Sequence, residues 1–389
     1  MAVRDFINPV VRQMKPSGIR KFFDIAAEMD NVISLGVGEP DFDTPWSIRE
    51  TAIYTLEQGR THYTANAGLK ELRQELASYA FRKYQLIYDP LHEILVTVGG
   101  SEAIDLSLKA MLEAGDEVLI PEPSYVSYIP CTQMAGGTPV MVPLREENQF
   151  KLMADDLEKK VTPRSKILIM PFPNNPTGSI MTKEDLEPIA DFVKAHDLFV
   201  ISDEIYAELT YGDHPHVSIG SLDGMKERTL VINGFSKTFA MTGWRLGYAM
   251  GPDWLIHEMT KIHQFSIMCA PTNSQYAAIN ALRDCDEQVA KMRREYNRRR
   301  RFLMQRLSEM GMDCFEPFGA FYVFPSIKKY GLSSEEFCRR FLFDQRVAVV
   351  PGDAFGPDGE GHVRISYAYS IDALKKALER IQAFIEKEL

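Results

Sequence analysis

The sequence predicts an α/β protein: a mostly parallel sheet flanked by helices, with a smaller α+β domain formed by both chain ends. Between residues 45 and 285 short apolar runs alternate with helix-like stretches. Those runs are apolar on both faces, as strands covered by helices on each side must be. After about residue 286 the alternation gives way to a long charged helix and three further strand-like runs. The expected boundaries are 45–285 for the large domain, and 1–44 with 286–389 for the small one.

The elements follow in order. Ile94-Leu-Val-Thr-Val98, Glu117-Val-Leu-Ile120, Lys166-Ile-Leu-Ile-Met170, Leu198-Phe-Val-Ile-Ser202 and Leu230-Val-Ile232 read as buried strands. Between two of them, Lys183–His196 is an amphipathic helix with Thr182 as its N-cap. Glu287–Met310 reads as a helix carrying Arg293-Arg294 and Arg298-Arg-Arg-Arg301, taken as a solvated face rather than a nucleic-acid patch. Ala320-Phe-Tyr-Val-Phe324, Val347-Ala-Val-Val350 and Val363-Arg-Ile-Ser366 are strands, and Asp372–Leu389 a closing helix. There is no internal repeat and no low-complexity linker.

Composition narrows the function. With 389 residues, 45% of them hydrophobic, the chain is long enough for a large core. A net charge of −10 argues against nucleic acid or anionic membrane as partners, so an anionic ligand must meet a few local cations. Five scattered cysteines, with no Cys-x-x-Cys pair, fit a reducing compartment and neither a disulfide framework nor a zinc site. The opening Met1-Ala-Val-Arg-Asp-Phe-Ile7 lacks a long apolar core, and no apolar run approaches membrane length. A soluble cytoplasmic protein is expected.

In an open parallel sheet, ligands gather beyond the carboxyl ends of the strands, and the chemically distinctive residues fall there. Gly99-Gly-Ser-Glu-Ala-Ile-Asp105 follows a strand and opens a helix, where free N–H groups suit a phosphate. It has neither a P-loop lysine nor G-x-G-x-x-G spacing. Asp203, at the end of a buried strand, needs a cation or hydrogen bonds; a pyridinium nitrogen, an N-cap role or an internal ion pair would each serve. Tyr206 and Asn175 are placed to meet a phenolic oxygen, although Asn175 also fits a plain turn in Pro173-Asn-Asn-Pro-Thr-Gly178. Tyr125 offers a ring to stack on a heterocycle.

Lys237 is the most informative residue. It closes the run after Thr229-Leu-Val-Ile232, where desolvation favours a neutral, nucleophilic amine over the ammonium form. Ser236 adds a hydroxyl and Arg245 a cation. Together they suit an aldehyde cofactor that carries a phosphate, pyridoxal 5'-phosphate held as a Schiff base; a snorkelling surface lysine is the plainer alternative. Arg364, inside an apolar strand, must meet an anion and can grip a carboxylate bidentately.

At these residues the chain resembles the class I/II, fold-type I pyridoxal-phosphate aminotransferases over nearly its whole length. The resemblance rests on Gly36-Val-Gly-Glu-Pro-Asp-Phe-Asp-Thr-Pro45, Thr61-His-Tyr-Thr-Ala-Asn-Ala-Gly68, Asn174-Asn-Pro-Thr-Gly178, Ser202-Asp-Glu-Ile-Tyr206, Ser236-Lys-Thr-Phe239 and Val350-Pro-Gly-Asp-Ala-Phe355. It implies Lys237 as Schiff-base lysine and proton shuttle, Asp203 on the pyridine nitrogen, Asn175 and Tyr206 on the phenolic oxygen, and Tyr125 on the ring face. It implies Ser101, Glu102, Ala103, Ser236 and Arg245 around the phosphate, chiefly through backbone at 102 and 103. Arg364 would hold the substrate α-carboxylate, with Gly38 and Asn175 nearby. A homodimer is implied, with Tyr63 reaching the partner subunit's phosphate.

Members devoted to aspartate bring an extra arginine from the partner or carry a lysine at the position of Ser101. Here Ser101 is neutral, and the expected pocket segment Gln264-Phe-Ser-Ile-Met-Cys-Ala-Pro-Thr-Asn273 holds no Lys or Arg. The pattern is most similar to the aromatic and N-acetyl-diaminopimelate aminotransferase subgroup. An aromatic or broadly hydrophobic L-amino acid is therefore the expected donor and a 2-oxo acid such as 2-oxoglutarate the acceptor, by a ping-pong cycle. Aspartate or N-acetyl-LL-diaminopimelate transamination is the alternative within the class. A C–S β-lyase on the same scaffold is an alternative of another class. A ligand-sensing regulator would need a fused helix-turn-helix domain, for which no room is expected before Gly36.

Overall fold

The computed structural model describes residues 6–14, 16, 18 and 28–388. Residues 1–5, 15, 17, 19–27 and 389, which the expected small domain, opening stretch and closing helix include, lie outside the described ones.

The first strand, β1 (Ile33–Ser34), stands apart from the seven that follow. These are β2 (Ile94–Thr97), β3 (Glu117–Glu122), β4 (Thr138–Pro143), β5 (Ser165–Met170), β6 (Phe199–Asp203), β7 (Thr229–Gly234) and β8 (Gly247–Met250). They form one sheet in the order β2-β8-β7-β6-β5-β3-β4. Only β8 runs against its neighbours; every other pairing is parallel. Buried side chains such as Ile201, Leu230 and Ile232 fill one face and Leu168 and Val200 the other, under helices on both sides. Each such side chain contributes roughly 1.5–3 kcal/mol on leaving water.

All five expected strands of this sheet form. Two others were not expected, and their composition explains why. β4 is an edge strand with prolines at 139 and 143 and a half-exposed face, where a missing N–H is tolerated. β8 is four residues long and opens with glycine, so it carries little strand signal. The helix Lys183–Ala195 starts on Thr182 in a full capping box, with Asp185 answering the Thr182 N–H.

Beyond the large sheet, β9 (Tyr322–Val323), β11 (Val350–Pro351) and β12 (Val363–Ser366) form a three-stranded antiparallel sheet. β10 (Val347–Ala348) pairs with β1 instead. The run expected as one strand over 347–350 is thus divided between two sheets. The closing helix Ile371–Glu388 sets Phe384 edge-on to Phe337, with ring centroids 5.4 Å apart. The long helix Asp286–Glu309 is only partly a solvated face: Arg299 and Arg300 are buried, paired with Asp41 and Glu316 at 2.7 Å each.

Candidate active site

A cavity of about 350 Å³ opens at the carboxyl ends of β2, β5, β6 and β7. The reversed strand β8 matters here. Because it runs antiparallel, its first residue, Gly247, sits beside both Thr97 at the end of β2 and Gly234 at the end of β7. Arg245, two residues earlier, is therefore delivered to the same edge as the carboxyl ends. The approach is close: a Cβ on Gly247 would lie 2.5 Å from the carbonyl carbon of Gly99. Arg245 turns through φ 53°, and its Nη1 donates to the Thr242 carbonyl at 2.9 Å. Its Nη2 lies 2.7 Å from where a Cβ on Gly99 would be, so the guanidinium rests on that turn.

Lys237 lies in the helical turn Phe235–Thr238 directly after β7. Its Nζ donates to the Gly38 carbonyl at 2.6 Å and stands 5.9 Å from the centre of the Phe321 ring. Burial pulls its ammonium down to about 8, with Glu39 opposing and the Arg364 and Arg245 charges assisting. Ser236, beside it, also faces the cavity.

Asp203 ends β6 with 7% of its surface exposed. One carboxylate oxygen accepts from the Tyr128 hydroxyl at 2.8 Å and the other from the Ile205 N–H at 3.2 Å. Among the described residues no basic side chain pairs with it. Burial accordingly pushes its carboxyl up to about 6, against the two hydrogen bonds that lower it. A buried carboxylate facing a cavity is shaped for a cation that none of the described residues supplies.

Tyr206, three residues on, shares a 2.9 Å hydroxyl contact with Tyr322 of β9. Asn175 accepts at Oδ1 from Arg364 Nη1 at 2.8 Å. Arg364 of β12 is 3% exposed, its Nη2 donates to the Gly36 carbonyl, and its Nε has no acceptor. Among the described residues no carboxylate pairs with this guanidinium. Burial lowers its pKa, partly offset by nearby tyrosines. Tyr125 faces the cavity from beyond β3, with its hydroxyl 3.4 Å from Ser101 Oγ.

Ten of the residues selected from sequence thus share one cavity: Gly38, Ser101, Tyr125, Asn175, Asp203, Tyr206, Ser236, Lys237, Arg245 and Arg364. Three do not line it. Glu102 turns away to meet His263 Nδ1 at 2.7 Å and the Val98 N–H, and the Ala103 side chain is packed in the core. Tyr63 is 80% exposed, outside this chain's cavity. The segment expected to form the pocket, 264–273, is also outside it. It instead packs on the Tyr63 loop, through Asn66 Nδ2 to the Met268 carbonyl and Thr272 Oγ1 to the His62 carbonyl, both 2.8 Å. Sequence reasoning gave no role to Tyr128 and Tyr322. Tyr128 stands three residues after Tyr125, a spacing that already hinted at a shared site; Tyr322 was legible only as a strand residue.

A family described as "Aminotransferase class I and II" matches residues 30–381. This chain belongs to the class I and II aminotransferases. It is 52% identical over 392 residues to an aspartate aminotransferase of Pyrococcus abyssi, covering all of both chains. It is 49% identical over 381 residues to aromatic-amino-acid aminotransferase 2 of Thermococcus litoralis, covering 97% of this chain and 98% of that one. Among solved structures, the aromatic aminotransferase of Pyrococcus horikoshii superposes with a TM-score of 0.91 at 49% identity, covering 95% of this chain and 99% of that one. Members of the family use pyridoxal phosphate, and this chain is a pyridoxal-phosphate-dependent aminotransferase. Among the described residues no helix is long and apolar enough to cross a membrane.

Proposed function

We propose that this aminotransferase moves the α-amino group of an aromatic or broadly hydrophobic L-amino acid to a 2-oxo acid such as 2-oxoglutarate, in a ping-pong cycle. The observation that carries the substrate class is the count of cations on the cavity wall. Among the described residues, Lys237, Arg245 and Arg364 are the only lysines or arginines lining it, and each has a task. A carboxylate on the substrate side chain would be desolvated without a partner, at a cost of several kcal/mol.

The residues fit the cofactor. Asp203, buried without a counter-cation among the described residues, would take the pyridine nitrogen. Arg245, Ser236, Ser101 and the backbone of Glu102 and Ala103 at the start of the helix Gly100–Met111 would hold the phosphate. Tyr206 and Asn175 would meet the phenolic oxygen, and Tyr125 the ring face. When bound, the cofactor supplies an aldehyde to take up the amino group and a ring to receive the electron pair. Arg364 grips the α-carboxylate through the guanidinium edge that has no acceptor, with Gly38 alongside. Lys237 Nζ, which faces the cavity, would carry the proton from the substrate Cα.

The same reading takes 45–285 as the large domain and 1–44 with 286–389 as the small one, which draws inward on substrate to exclude water. It includes a cytoplasmic homodimer. Tyr63 and Phe265, exposed at 80% and 86%, with Trp46, Tyr54, Ile267 and Met268, leave apolar side chains uncovered. Covering them with a second copy would carry Tyr63 toward the partner's phosphate. Five free cysteines agree with a reducing compartment.

Aspartate as donor is the second reading, favoured by the name of the Pyrococcus abyssi relative. The experiment is to follow the visible spectrum of the purified enzyme as single amino acids are added without a 2-oxo acid. Bleaching by phenylalanine or tyrosine, with little by aspartate, supports the proposal. Bleaching mainly by aspartate overturns the substrate class and keeps the enzyme class.

A further inference from the structure

We infer that Tyr128 is a positioning residue: its buried phenol aims the Asp203 carboxylate at the cofactor's ring nitrogen and ties that contact to the stacking ring of Tyr125. The inference rests on the reading of Asp203 just given. Tyr128 opens the helix Tyr128–Met134 and is 2% exposed. Its hydroxyl donates to Asp203 Oδ2 at 2.8 Å, while Oδ1 is held by the Ile205 N–H. With both oxygens engaged from the protein side, the plane of the carboxylate is fixed, and its remaining lone pairs face the cavity. A phenol has a single proton, so donating it here commits the hydroxyl to the carboxylate.

The other half of the inference is the ring. Tyr128 stands edge-on to Tyr125, with centroids 5.6 Å apart and planes at 83°. Tyr125 in turn brings its hydroxyl to 3.4 Å from Ser101 Oγ, on the turn that opens the helix Gly100–Met111. One connected set of side chains therefore spans the ring-nitrogen contact, the ring face and the phosphate turn. Removing the Tyr128 hydroxyl leaves the aromatic packing in place but frees the carboxylate to rotate. A hydrogen bond to a charged group supports roughly a tenfold or greater change in an equilibrium constant.

The test is a double-mutant cycle on cofactor affinity, read by titrating cofactor-free protein with pyridoxal phosphate. Four proteins are compared: wild type, Tyr128→Phe, Asp203→Asn and the double variant. Tyr128→Phe should keep its circular dichroism and melting behaviour, and weaken cofactor binding about tenfold. In the Asp203→Asn background the same change should cost less than about twofold. Equal losses in both backgrounds would mean that Tyr128 acts by packing alone, and no loss in either would mean that it does not position the carboxylate; both overturn the inference. If Asp203→Asn binds the cofactor as tightly as wild type, it is the reading of Asp203 that fails.

Discussion

Arg364 packs its guanidinium carbon 4.4 Å from the centre of the Tyr322 ring and 4.8 Å from that of Phe355, and among the described residues no carboxylate pairs with it. Its hydrogen bonds go to neutral oxygens, those of Asn175 and Gly36. Such a group is desolvated before any ligand arrives, so on the proposed reading an incoming α-carboxylate would meet a preorganised and weakly hydrated cation. Arg364→Leu is expected to lower kcat/KM for amino acids by about two to three orders of magnitude. Cofactor affinity should stay within about twofold of wild type. Steady-state kinetics beside a cofactor titration checks both, and an unchanged specificity constant would exclude the assignment.

Asp203 carries the opposite problem. Its carboxyl is raised from the usual 3.8 to about 6, chiefly by burial. The folded, cofactor-free protein holds this proton to higher pH than the unfolded chain does. The associated stability is full below about pH 4 and is lost as pH rises through about 6. Asp203→Asn should therefore stabilise the cofactor-free protein at pH 7.5, on the order of 1–3 kcal/mol, while weakening the holoenzyme and its turnover. Denaturant melts of both forms provide the check; a variant less stable in the cofactor-free form would sink the argument.

Much of this arrangement was legible in the sequence, for a physical reason. A charged residue at the end of a buried strand, just after one or inside one announces an expensive group: Asp203 ends β6, Lys237 follows β7 and Arg364 lies within β12. What stayed hidden depended on pairing across the chain. Nothing near residue 247 says that β8 runs backwards, yet that reversal brings Arg245 to the Gly99 turn. Tyr322 reads as one more apolar strand position until β12 sets it beside Arg364. The segment 264–273, expected as pocket wall, lies outside this chain's cavity and packs beside the Tyr63 loop, a placement set by contacts more than 200 residues apart in sequence.

Gly38 has no room for a side chain. A Cβ there would sit 2.1 Å from the Tyr322 hydroxyl, which is buried and bonded to Tyr206 and cannot swing aside freely. The Gly38 carbonyl also receives Lys237. Gly38→Ala should cost about 1–3 kcal/mol of stability through overpacking and lower kcat/KM at least about tenfold by displacing Tyr322. Thermal melts and kinetics on the single variant test this. Wild-type values for both would show that the 36–39 segment yields more easily than its packing implies.

Lys237 supplies the last prediction through its titration. An ordinary lysine amine, near 10.5, is almost fully protonated at neutral pH; here burial brings it to about 8. The reactive species is the neutral amine, so its population rises about tenfold per pH unit below 8 and levels off above. Mixing cofactor-free protein with pyridoxal phosphate between pH 6 and 10, and timing the visible band of the bound cofactor, should give a rate that climbs to about pH 8 and then flattens. A rate still climbing at pH 10 would show an unperturbed lysine and remove desolvation as the source of its reactivity. Lys237→Ala should form no such band and no product at any pH. Retained turnover in that variant would assign the proton transfer to another group.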